Sequence, residues 1–199
     1  MSKNNKENFT NKGFTLIELL IVMVILGILV AIVFTNIDVA RLTGRGGDTK
    51  RISDLRSVQD GIMRELAQNY IVLPLTGSIS STEANAQLVN GTGWVRFSTN
   101  PQQAPNPYKF SNLSVLPVDP KNNQSISYTV KGTTAGGTTG TRTVTATARY
   151  QICYSATGFE IRTALEQDVD KMANDGGTDE TSYQIGTDLT ACGTGRFGQ

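Results

Sequence analysis

Histidine is absent from the 199 residues, and only two cysteines, one tryptophan and six prolines are present. Without histidine the chain lacks the usual imidazole base, the Ser-His and Cys-His pairs of nucleophilic catalysis, and the commonest zinc ligand. No other nucleophile–base constellation or metal-ligand cluster is legible, so the expectation is a protein that is not an enzyme and carries no cofactor. Net charge is also lacking: 18 basic side chains face 17 acidic ones, a formal +1. Such a balance gives no global electrostatic case for nucleic-acid binding. The length leaves room for one anchored domain, without a second independent core.

What the chain does have is a long apolar run. Residues 14–34, FTLIELLIVMVILGILVAIVF, are 21 positions with a single charged side chain, Glu18. At about 1.5 Å per residue a helix of this length covers roughly 30 Å, the thickness of a bilayer's hydrocarbon core. A soluble core helix is seldom apolar on every face for so long. A secretory signal peptide has a shorter apolar region that ends in a small-residue cleavage site, and here any processing point precedes the run. No cysteine stands at the end of the run to take a lipid anchor. Glu18 is the anomaly, because a carboxylate inside a spanning helix costs about 2.5–3.5 kcal/mol on insertion scales. It must find a cation or stay protonated; the bland reading is a single-pass anchor that tolerates it.

The residues Lys12-Gly13-Phe14-Thr15-Leu16-Ile17-Glu18, leading into the uninterrupted apolar helix, resemble the prepilin signature of type IV pilins and type II secretion pseudopilins. The resemblance implies cleavage after Gly13 by a membrane prepilin peptidase, removal of residues 1–13 as a leader, and methylation of the new amine on Phe14. It implies that Glu18 answers the Phe14 ammonium of a neighbouring subunit during assembly; the subunit's own Phe14 amine, about 6 Å along the helix, is the competitor. The expected partners are other copies in a homo-oligomeric filament, the prepilin peptidase, pilus or secretion assembly platform proteins and the membrane. Nucleic acid joins them only if the filament takes up DNA. The expected location is a single-pass cytoplasmic membrane protein with a cytoplasmic N-terminus, and then an extracellular or periplasmic filament. The expected fold is α+β, a long N-terminal helix, half transmembrane and half amphipathic, packed on a small antiparallel sheet.

The chain reads as four segments: the leader 1–13, a transmembrane and filament-core helix over 14–36, a glycine hinge and amphipathic helix over 37–73, and an outward-facing globular domain over 74–199. The resemblance also implies that the first helix loosens in this region, commonly around a glycine and a proline; Gly27 suits that role, and the proline is missing. Gly44, Gly46 and Gly47 together disfavour helix by a few kcal/mol, so a break or hinge is expected there, with Asp48 capping the amphipathic helix after it. From Thr49 to Ile71, Ile52, Leu55, Val58, Ile62, Leu66 and Tyr70 recur at intervals of three and four, one buried stripe of an amphipathic helix that Pro74 closes.

Residues 74–124 read as a long, partly ordered connector with a short helix at 81–89. Within it, Leu116-Pro117-Val118-Asp119-Pro120 resembles a motif ahead of the sheet in major pseudopilins, though Lys121-Asn122 replace the usual Trp-Gly. Alternation then marks strands at Ile126–Val130, Val144–Tyr154 and Phe159–Leu165, a three-stranded antiparallel meander. The Thr/Gly-rich tract 132–142 between the first two is expected to be a mobile hairpin loop. In the tail, Asp168, Asp170, Asp175, Asp179 and Glu180 surround Gly176-Gly177; their spacing does not fit an EF-hand, and a solvated acidic loop is the preferred reading. Cys153 and Cys192 lie beyond the membrane run, where an oxidising compartment favours a disulfide; two free buried thiols are the alternative. In function, the leading expectation is a structural subunit of a type IV pilus. A major pseudopilin, or a minor tip pilin binding through the loops 75–112 and 132–142, are the alternatives.

Overall fold

The computed structural model describes residues 13–105, 108–110, 112–133 and 139–193, so the expected leader lies outside it apart from Gly13. The chain divides after Val39 into two compact units. The first is built on α1 (Leu16–Asn36), whose residues are apolar on all sides and none of which is buried within the chain. It runs unbroken through Gly27 and stops where Ile37 turns extended, at φ −90° and ψ 113°. The Thr35 hydroxyl and the Asn36 amide both donate to the Ile32 carbonyl near that end.

The second unit starts at Ala40, one residue inside α2 (Val39–Ala67). The break expected at Gly44, Gly46 and Gly47 is absent: all three lie inside this helix. Glycine's cost of about 1 kcal/mol per helical site is a weak prior that tertiary packing overrides. At Gly44 the packing explains the residue type, because a Cβ there would sit 2.8 Å from Cγ of Gln167. The glycine lets the segment at 166–168 approach the helix backbone. Asp48, expected to cap a helix start, instead reaches sideways to that segment. Further along, Ile52, Leu55, Val58 and Ile62 are buried as the stripe required, with Leu66 and Tyr70 packed at its end. The helix closes before Pro74, by a left-handed Asn69 (φ 57°) and a Tyr70 N–H donated back to the Glu65 carbonyl.

Beyond α2 the described residues form eight strands: β1 (Ile71–Val72), β2 (Gly77–Ser80), β3 (Ser98–Thr99), β4 (Ser125–Thr133), β5 (Thr139–Thr147), β6 (Gln151–Ser155), β7 (Gly158–Thr163) and β8 (Tyr183–Gly186). The principal sheet is antiparallel in the order β2-β6-β7-β8, while β4 and β5 form a separate hairpin and β1 pairs with β3. This corrects the expected meander. The alternating stretch 144–154 is two strands, because Ala148 donates its N–H to Gln124 and Tyr150 to the Ser81 hydroxyl, which turns the chain out of one sheet and into the other. The hairpin also reaches Thr133 and Thr139, so the expected loop is shorter than 132–142, and its centre at 134–138 lies outside the described residues. Turns replace the short helix expected at 81–89, and α3 (Val169–Ala173) appears in the tail.

The core joins the α2 stripe to Ile152, Phe159 and Ile161 of the sheet and to the connector. The connector is not peripheral. Trp94 is fully buried and donates from Nε1 to the Pro117 carbonyl at 2.8 Å, while Phe97, Tyr108 and Phe110 pack edge to face.

Beside this apolar core sits a buried charge network. Arg51 is 0% exposed and bidentate on Asp119, with Nε at 2.8 Å and Nη2 at 3.0 Å; its Nη1 reaches Asp48 at 2.9 Å and Glu166 at 2.8 Å. Asp48 also accepts the backbone N–H groups of Glu166, Gln167 and Asp168 at 2.7–3.0 Å. Burial works against the charge on Glu166, but hydrogen bonds from Lys121 and Arg51 outweigh it and hold the carboxyl below its ordinary range. Replacing Arg51 by methionine strands these carboxylates without their cation. The expected loss is about 3–5 kcal/mol of domain stability, read as a lower urea midpoint.

Candidate processing and assembly site

The residues singled out around the apolar helix come together at its start. Thr15 is the N-cap of α1, in extended backbone at φ −76° and ψ 152°, which turns the chain from Gly13-Phe14 into the helix. Its hydroxyl oxygen accepts the Glu18 N–H at 3.3 Å. The Glu18 carboxylate folds back, and Oε2 accepts the Thr15 backbone N–H and the Thr15 hydroxyl, each at 2.8 Å. The arrangement is a capping box, two otherwise unpaired helix-start donors satisfied reciprocally. Among the described residues Glu18 is answered by helix-terminal donors and by the positive end of the helix dipole, without a formal cation. Thr15 was the residue that sequence reasoning passed over. Its signal was present as Thr15-Leu16-Ile17-Glu18, a T-x-x-E spacing directly ahead of an apolar run.

The Gly13–Phe14 peptide bond is open. Nothing lies within 4 Å of where a Gly13 Cβ would be, and Phe14 is 86% exposed. Phe14 immediately precedes the N-cap, so an amine created there would lie one peptide from the Thr15 N–H that Glu18 already holds. Among the described residues one helix, α1, is long and apolar enough to cross a membrane by length and composition.

The other predicted site residues lie in the second unit. Gly44, Gly46 and Gly47 are helical. Cys153 and Cys192 are joined, closing 39 residues of separation. Register puts Cys153 opposite Glu160 and Ile152 opposite Ile161, so the bridge lies on the polar face of the sheet, away from the isoleucines. Glu160 is fully buried on that face and accepts from the Cys192 N–H at 2.9 Å and the Gln184 amide at 2.6 Å. Burial pushes its carboxyl above the ordinary range, with those two hydrogen bonds acting the other way.

The tail carboxylates are similarly occupied. Asp175 accepts the N–H groups of Gly177 and Gln184, Asp179 accepts from Thr181, Ser182 and Arg162, and Asp168 pairs with Lys171. No three His, Cys, Asp or Glu among the described residues are placed to hold a metal ion.

Against known proteins, residues 8–34 match the family model described as the prokaryotic N-terminal methylation motif. That motif is the prepilin-type signature of type IV pilins and pseudopilins, a family that is structural rather than enzymatic, and it supports a protein of pilin or pseudopilin type. The match ends with the apolar helix and covers none of the globular unit. Neither the curated proteins nor the solved structures contain a match to the chain.

The bridge yields a direct test. Changing Cys153 and Cys192 together to alanine should lower stability by about 2–4 kcal/mol, the usual range for a disulfide closing a loop of this order. Peptide mapping without reductant should recover one fragment containing both residues from the unaltered protein.

Proposed function

We propose that this chain is a structural subunit of a type IV pilus. On this reading a prepilin peptidase cuts between Gly13 and Phe14, the new amine is methylated, and the mature chain waits in the cytoplasmic membrane with its N-terminus on the cytoplasmic side. From there it assembles through platform proteins into an extracellular filament of identical copies.

The observation that carries the reading is the pairing of two features in the first unit. An apolar helix with no side chain buried among the described residues begins at a carboxylate that, among those residues, is held by a capping box. Such a helix needs lipid or other helices around it. The capping box offsets part of the cost of carrying Glu18 into the bilayer, since the carboxylate enters already hydrogen-bonded. A neighbour's Phe14 ammonium is a stronger partner than an amide N–H, so assembly exchanges a neutral donor for a charged one in a low-dielectric setting.

A major pseudopilin is the second reading, favoured by the segment 116–120. There Leu116 is fully buried and Asp119 is clamped bidentate to Arg51, so the resemblance falls on residues the fold uses. Imaging cells with and without the protein separates the two, because a pilus extends from the surface and a pseudopilus stays within the envelope.

Two outcomes test the shared part of the proposal. Intact-mass measurement of protein from cells should give a chain beginning at a methylated Phe14; a mature chain beginning at Met1 defeats the reading. Glu18→Ala should insert into the membrane at least as well as the parent, since a costly carboxylate is removed, yet give no filaments. Normal filaments from that variant would remove Glu18 from the assembly contact.

A further inference from the structure

Asn90-Gly91 is the one Asn-Gly step in the sequence, and it lies between buried Val89 and fully buried Trp94 in the connector. Gly91 sits at φ +87°, and a Cβ on it would meet the Phe97 carbonyl oxygen at 2.5 Å, so the turn accepts no other residue there. Asn90 itself is exposed. Its side-chain oxygen accepts two donors from Thr92, the backbone N–H at 3.2 Å and the hydroxyl at 2.6 Å.

We propose that Asn90 is a site of spontaneous covalent modification, in which the Gly91 backbone nitrogen attacks the Asn90 side-chain carbonyl and the resulting ring opens to aspartate and isoaspartate. The atoms balance without an enzyme or a redox partner. The Gly91 nitrogen loses its proton to solvent and bonds to Cγ; the Cγ–Nδ2 bond breaks, and Nδ2 takes up a proton from solvent and leaves as ammonia. The cyclic imide then consumes one water at either carbonyl, giving an α- or β-linked carboxylate.

Three features favour the step here over the chain's other asparagines. Glycine places no side chain over the attacking nitrogen. The Gly91 N–H is held by no backbone carbonyl among the described residues. The Thr92 donors already bind the oxygen that becomes the oxyanion when nitrogen adds, which is the geometry that stabilises a tetrahedral intermediate. Burial of Gly91 acts in the other direction by slowing proton loss, so the rate in the folded chain is the deciding quantity.

The product matters to the fold. It puts a negative charge on an uncharged turn, and the β-linked form lengthens the backbone where Gly91 already abuts the Phe97 carbonyl. The turn that seats Trp94 is expected to loosen. None of this depends on the filament reading.

The test uses full-length protein in detergent micelles, incubated at mildly alkaline pH and then analysed by peptide mass spectrometry that separates aspartate from isoaspartate. A parallel sample is unfolded in urea, and both are repeated with Thr92→Val, which removes the hydroxyl donor at an exposed position. In the folded parent Asn90 should gain about 1 Da ahead of every other asparagine. Thr92→Val should slow that conversion several-fold in the folded chain and leave the urea rate unchanged. An Asn90 that persists in the folded parent while converting in urea overturns the proposal, and equal folded rates for parent and Thr92→Val overturn the part assigned to Thr92.

Discussion

The second unit is organised by one buried cation. Arg51 projects from α2 into a site closed to solvent and satisfies carboxylates from three places in the sequence: Asp48 one turn back, Asp119 near the end of the connector, and Glu166 after the sheet's third strand. Bringing a guanidinium and several carboxylates out of water costs several kcal/mol per ion, and their attraction repays that only when every lone pair finds a donor. Here the completion is visible. The Lys121 backbone N–H adds a donor to Asp119, the Lys121 ammonium covers Glu166, and three backbone N–H groups cover Asp48. Such a network adds little net stability over an apolar substitute of the same shape. What it adds is geometry, because only one placement of the connector and of the 166–168 segment against α2 satisfies all of its members.

The same network explains why the glycine-rich start of α2 is helical. Propensity summed over Gly44, Gly46 and Gly47 argues for a break, and nothing local opposes it. The opposing terms lie more than 100 residues away, in backbone donors at 166–168 that need the Asp48 carboxylate and in a Gln167 side chain that needs the space at Gly44. No window of sequence around the glycines contains that information. By contrast, the features that periodicity encodes were legible. The apolar run became α1, the three-and-four spacing of Ile52, Leu55, Val58 and Ile62 became the buried face of α2, and alternation located β4 and β7. The strands that escaped were β1 and β3, two residues each, and β2 and β8, four residues each, whose sequences are too short or carry too little alternation to be recognised without their partners. The split of 144–154 escaped for the opposite reason: alternation continues across Ala148–Tyr150 although the sheet does not.

The two faces of the principal sheet show how a tail with few apolar residues becomes part of the fold. One face presents Ile152, Ile161 and Ile185 to the core in a single cross-strand row. The other presents Cys153, Glu160, Arg162 and Gln184, which need hydrogen-bonding partners once covered. The tail supplies them from its own carboxylates and backbone, with Asp179 on Arg162 and the Cys192 N–H on Glu160. A covalent tie at Cys153–Cys192 adds to these contacts by restricting the unfolded chain.

In the first unit the logic of completion is inverted. Where Arg51 is enclosed by partners from its own chain, α1 has none, and the polar contacts at its start are those between Thr15 and Glu18. The amide and hydroxyl donors of Thr15 give the Glu18 carboxylate charge-assisted hydrogen bonds, which gain strength away from water. On the proposed reading this is enough to carry the carboxylate into lipid and too little to compete with an ammonium at the same distance, whose attraction grows as the dielectric falls. On that reading the capping box sets the order of events. Glu18 is satisfied while the subunit is alone, and it becomes available when cleavage at Gly13 has created amines and neighbouring helices have brought one within reach. On the same proposed reading, an uncleaved copy with Phe14 still in peptide linkage has no such amine to offer, and processing controls assembly through the chemistry of one nitrogen atom.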